Sequence, residues 1–119
     1  MNFPVSIPCG KRHRRLVRDF LTNTAYGSVI IKTNYVWNGG NVPRICWIYA
    51  TPFSPQNEVP FLLHDYFCDG GALCNGDVLT RYEADRVLYD KLIHYGTRKS
   101  KAWLMYFCCR MYAVVTLQQ

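Results

Sequence analysis

Apolar residues change their spacing near the middle of this chain. Ahead of residue 50 they come in short runs. Arg15 to Leu21 and Ser28 to Thr33 flank the turn-prone Thr22-Asn23-Thr24-Ala25-Tyr26-Gly27, and Val29, Ile30 and Ile31 add β-branched side chains. The pattern predicts a hairpin or small antiparallel sheet. Asn38-Gly39-Gly40-Asn41-Val42-Pro43-Arg44 then reads as a loop, because paired glycines permit positive φ and Pro43 biases Val42 toward an extended backbone. Ile45 to Ala50 suits a short strand or one helical turn, and residues 1–10, with Pro4, Pro8 and Gly10, read as an N-terminal arm.

Beyond Pro52 and Pro55 the spacing becomes helical. Pro60 fits the first turn of a helix carrying Phe61 to Cys68, where its missing N–H leaves no bond unmade, and Asp69-Gly70-Gly71 stops that helix. Thr80-Arg81-Tyr82-Glu83 is a capping box, and behind it Ala84, Val87, Leu88, Leu92 and Tyr95 form a stripe interrupted by Lys91 and closed at Gly96. A third helix starts near Thr97 or Ser100 and runs through Trp103 to about Tyr112. It is apolar nearly all round, which predicts a central buried helix with Lys101 and Arg110 at its wet edges. The fold class expected is α+β: a small N-terminal antiparallel hairpin or sheet over residues 11–50, then about three packed helices over 57–113.

With 119 residues, half of them apolar, the chain suits one domain over 1–119 and argues against disorder. The formal charge of +6 comes largely from Lys11, Arg12, Arg14, Arg15 and Arg18. Such a run is read as long side chains lying in water rather than as a nucleic-acid surface. Cys9, Cys46, Cys68, Cys74, Cys108 and Cys109 lack zinc-site spacing, and an adjacent pair inside an apolar helix reads as one buried and one flanking thiol. The thiols are therefore expected to be mostly reduced and structural, with Cys68 to Cys74 as the one local bridge left open. No secretory signal and no transmembrane segment are visible, which places synthesis in the cytoplasm.

The chemistry-bearing step is His64-Asp65, with Asp85 twenty residues on. Neighbouring helical residues project about 100° apart, so His64 and Asp65 flank a cleft rather than share a point. Asp85 from the next helix is the natural partner of the imidazole, fixing its tautomer and raising its basicity so that it activates a water. His64 and Asp85 are thus the candidate catalytic pair, provided they meet at a solvent-reachable spot. Asp65 is left to hold a hard cation, calcium or another divalent ion, or to accept backbone amides. A histidine bonded to an aspartate serves equally as a polar pin between helices. Asp69, Asp77 and Asp90 read as solvated, and His13 and His94 as surface residues without evident partners.

Three segments in order resemble a family of small phage and prophage proteins classed as a domain of unknown function, family 1353. They are Tyr35-Val36-Trp37-Asn38-Gly39-Gly40-Asn41-Val42-Pro43-Arg44-Ile45-Cys46-Trp47, then Leu62-Leu63-His64-Asp65-Tyr66, then Arg81-Tyr82-Glu83-Ala84-Asp85-Arg86-Val87-Leu88. The resemblance implies that Asn38, Asn41 and Arg44 border the His–Asp pair as cofactor- or ligand-binding positions. Asn38 stands where the family pattern has aspartate and Asn41 where it has serine, so an acid and a hydroxyl are replaced by amides that hydrogen-bond but cannot act as a base. A second likeness, of arrangement only, is to phospholipases A2. It implies His64 as base, Asp85 as its orienting acid, Asp65 as calcium holder and Gly39-Gly40 as a calcium and oxyanion loop.

The leading expectation is a small phage-encoded protein acting as a hydrolase of lipid or cell-envelope ester or amide bonds. The alternative is a non-enzymatic virion or tail-associated component whose partners are other phage structural proteins.

Overall fold

Alternation of buried and exposed side chains sets the first half of the fold. The computed structural model describes residues 3–10, 13–38, 42, 46, 47 and 57–116. Its strands are β1 (Ser6–Pro8), β2 (Arg14–Leu16), β3 (Phe20–Thr24), β4 (Gly27–Ile31) and β5 (Val36–Trp37). β3 and β4 form the predicted hairpin, with Phe20 opposite Ile31 and Thr22 opposite Val29, and Phe20, Val29 and Ile31 turn inward. The hairpin is tighter than the sequence predicts. Pairing continues to Thr24 opposite Gly27, so Thr22 and Asn23 belong to a strand and the turn is Ala25-Tyr26 alone. The Thr24 hydroxyl holds it, accepting from the Tyr26 amide at 3.1 Å and donating to the Gly27 carbonyl at 2.8 Å.

The basic run begins a second sheet rather than the hairpin. β2 pairs antiparallel with β1 on one side and β5 on the other. Arg14 lies over β1, donating from Nε to Ser6 Oγ at 2.9 Å and to Glu58 Oε1 at 3.2 Å. The Ser6 hydroxyl donates to the same Glu58 oxygen, which ties the sheet to the first helix. Arg15 donates to Asn34 Oδ1 at 2.7 Å. Lys11 and Arg12 lie outside the described residues.

Among the described residues three helices follow: α1 (Glu58–Cys68), α2 (Arg81–His94) and α3 (Lys99–Val115). α1 carries Pro60 in its first turn, as predicted. It ends where Gly70, at φ +90°, lets the Gly71 amide reach the Tyr66 carbonyl at 2.9 Å. A side chain at Gly71 would meet the Tyr66 ring at 2.4 Å, so glycine is required there by close approach. α2 has the predicted capping box, with Glu83 N–H to Thr80 Oγ1 at 3.1 Å and Thr80 N–H to Glu83 Oε1 at 2.9 Å.

One cluster of buried side chains fills the space between the strands and α1 with α2, using Leu16, Phe20, Val29, Trp37, Leu62, Leu63 and Phe67. A second lies between the helices, with Phe61, Leu88, Leu92, Ala102, Met105 and Cys109. α1 and α2 contribute to both, and α1 is the most deeply buried of the helices, with eight of its eleven residues out of solvent. The expectation that α3 is the central buried helix is corrected. α3 buries only Ala102, Met105, Cys109 and Ala113, and Trp103, Leu104, Phe107, Met111 and Tyr112 are exposed. Apart from Met105 the residues it buries are small and permit close packing, and most of its bulky ones point outward.

The reading of the thiols as mostly reduced holds for Cys9, Cys68, Cys74 and Cys109 and is corrected for the other two. Cys46 and Cys108 form a disulfide across 62 residues, whereas Cys68 and Cys74 stay free and unbridged. A bond joining such distant positions is invisible to local spacing. Cys109 is the buried thiol of the adjacent pair.

Candidate functional site

α1 and α2 bring His64 and Asp85 together as predicted. Asp85 sits one turn inside the capped start of α2 and one position from the buried Ala84, so it faces α1. His64 Nε2 lies 2.6 Å from Asp85 Oδ1. An ionised carboxylate only accepts, so Nε2 carries the proton and Nδ1 is left as the ring's acceptor. The Cys68 sulfur lies 3.9 Å from Nδ1 and 3.7 Å from Nε2.

Two arginines complete the cluster, and the sequence reading missed both. Arg81 Nε donates to Asp85 Oδ1 at 3.0 Å, and Arg110 Nη1 donates to Oδ2 at 2.9 Å. Arg81 had a legible signal, since it stands four residues before Asp85 on one helix. Arg110 is corrected from a wet edge to an inward-reaching residue, with its guanidinium also 5.1 Å from the Tyr82 ring centroid. A lone cation in the apolar run from Ala102 to Val115 was its sequence signal. Burial raises the Asp85 pKa, but the hydrogen bonds from His64 and Arg81 and the Arg81 charge outweigh it, and the carboxyl sits below its ordinary value.

The ring is not at a solvent-reachable spot. His64 and Asp85 are both 0 % exposed. Two guanidiniums already stand against the one carboxylate that the ring faces. Cys68, one helical turn from His64, is no nucleophile either: burial pushes its thiol up to about 12, and Cys109 likewise.

Asp65 takes the second role foreseen for it, that of amide acceptor. It is 2 % exposed, and its Oδ2 accepts the Asn38 backbone N–H at 3.1 Å. The Asn38 side-chain amide reaches His13 Nε2 at 3.3 Å, so His13 has a partner that spacing did not reveal. Asn38, Asp65 and His13 thus form a second cluster joining β5 to α1. Among the described residues no group of three or more His, Cys, Asp or Glu side chains is arranged to hold a metal. Asn41, Arg44 and the Gly39-Gly40 loop lie outside the described residues. His94 is exposed, with its ring edge against Tyr95.

A family model described as a protein of unknown function (DUF1353) matches residues 14–109, which include β2 to β5, all of α1 and α2 and most of α3. No curated protein and no solved structure matches the chain.

Proposed function

The chain belongs to the DUF1353 family of proteins of unknown function, and we propose that this member works by docking rather than by catalysis. It is a non-enzymatic component of a larger assembly, of the kind a phage virion or tail contains. The observation that carries this reading is the enclosed carboxylate of Asp85, which has donors from three helices and no exposed surface. An arrangement of this kind holds helices in register, and a general base instead needs its free nitrogen within reach of a substrate or water. The Cys46–Cys108 bridge adds support, because such bonds persist outside the reducing cytosol, where an assembled particle spends its life. The bulky outer face of α3 is the surface left for contact.

A second reading, hydrolysis of a lipid or cell-envelope ester or amide, is favoured by the 2.6 Å His64–Asp85 bond, which fixes one tautomer and leaves Nδ1 as the acceptor. It requires a movement that uncovers the ring. An esterase, lipase and amidase screen of the unmutated protein, with and without added calcium, separates the two. Docking predicts no turnover, together with stoichiometric presence of the chain in purified particles by mass spectrometry. Turnover abolished by His64→Ala in a variant that remains folded would replace docking by hydrolysis.

A further inference from the structure

We infer that the outer face of α3 docks on an anionic lipid surface; this rests on the docking reading and names its partner. At about 100° per residue, Trp103, Leu104, Phe107, Met111, Val114 and Val115 fall within a single sector of roughly 120°. All six are exposed, from 38 % at Leu104 to 74 % at Val115, and Trp103 stacks on Phe107 with ring centroids 5.3 Å apart. The opposite face is built of Ala102, Met105, Cys109 and Ala113. The helix therefore carries its larger apolar surface outward, the reverse of a surface helix that serves its own core.

Charge selects the partner. α3 contains no acidic residue, Lys99 and Lys101 fall on the two borders of the apolar sector, and Arg98 precedes the helix. No ion pair among the described residues holds these three cations. An apolar stripe with an indole at one end and lysines along its margins is the composition of a helix that lies in a membrane interface, with ammonium groups at the lipid phosphates. The chain's formal charge of +6 adds long-range attraction to an anionic leaflet. A second copy of the chain is the poorer occupant, because two such faces bring lysine borders together with no carboxylate on either helix.

The test is co-sedimentation of the unmutated protein with phosphatidylcholine vesicles and with phosphatidylcholine–phosphatidylglycerol vesicles, alongside light scattering in free solution. The expected result is binding to the anionic vesicles, weakened by salt, with a blue shift of tryptophan emission from Trp103. The variant Trp103→Ser/Phe107→Ser, whose positions are exposed, should keep its circular dichroism and bind at least about tenfold more weakly, given the apolar area removed. No binding to anionic vesicles overturns the inference. If the unmutated protein is then a dimer that the variant dissolves, α3 docks on a second copy and the docking reading survives. A monomer that binds no vesicle and is unaltered by the variant removes α3 from that reading as well. Equal binding by variant and unmutated protein also overturns the inference.

Discussion

Asp85 stays ionised against the pull of burial because its neighbours donate. Its folded pKa lies below the ordinary carboxylate value of 3.8, so the folded chain gives up this proton more readily than the unfolded one. The stability it contributes is full above 3.8 and is lost as pH falls through the lower folded value. Melting temperature followed from neutral pH downward should thus drop steeply only in the acid range, and the drop should be shallower in Asp85→Asn. The half-buried Cys68 and the buried Cys109 give a second test at this scale. With pKa values pushed up to about 12, Cys68 and Cys109 carry almost no thiolate near neutrality. Brief iodoacetamide treatment of the native protein should alkylate the exposed Cys74 and spare both; labelling of Cys68 as fast as Cys74 would contradict its raised pKa.

Elements were legible where their signals are local. The capped start of α2 and the stop at Gly96, whose φ is +105°, are set by residues within a few positions of each other. Thr80→Ala removes one side of the capping box and should lower stability by about 1 kcal/mol, read as a small fall in denaturant midpoint with an unchanged slope. β1 was not legible: Ser6–Pro8 becomes a strand only because β2 lies beside it. The hairpin turn is narrower than its residue types suggest, since Thr and Asn serve in both turns and strands and cross-strand pairing decides between them. α3 was legible as a helix but not in its placement. A run apolar on every side fits a core helix and a partner-facing helix alike, and only the small residues Ala102, Cys109 and Ala113 mark the side that packs.

Among the long-range ties of the described residues, two join segments to α3 or α2 that sequence spacing leaves unconnected. The Cys46–Cys108 disulfide closes a 62-residue separation, and the chain-entropy model gives such a loop about 4 kcal/mol. Reductant should lower the melting temperature accordingly, and mass mapping of the oxidised protein should recover the peptide pair. The other tie is Asp85 itself, which takes His64 from α1, Arg81 from α2 and Arg110 from α3. His64 and Asp85 were legible because a helix pair and a capping register bring them together, whereas Arg110 depends on how α3 lies against α2, which local pattern does not specify. Removing one member of a buried charge group leaves the others uncompensated, at a loss of about 3–5 kcal/mol. A residue retained for chemistry behaves oppositely, since its replacement relieves strain and commonly leaves stability unchanged or raised. Equilibrium unfolding of Asp85→Asn against the unmutated protein therefore tests the central claim most directly. A structural tie predicts a loss of about 3–5 kcal/mol, and stability equal to or above that of the unmutated protein would contradict it.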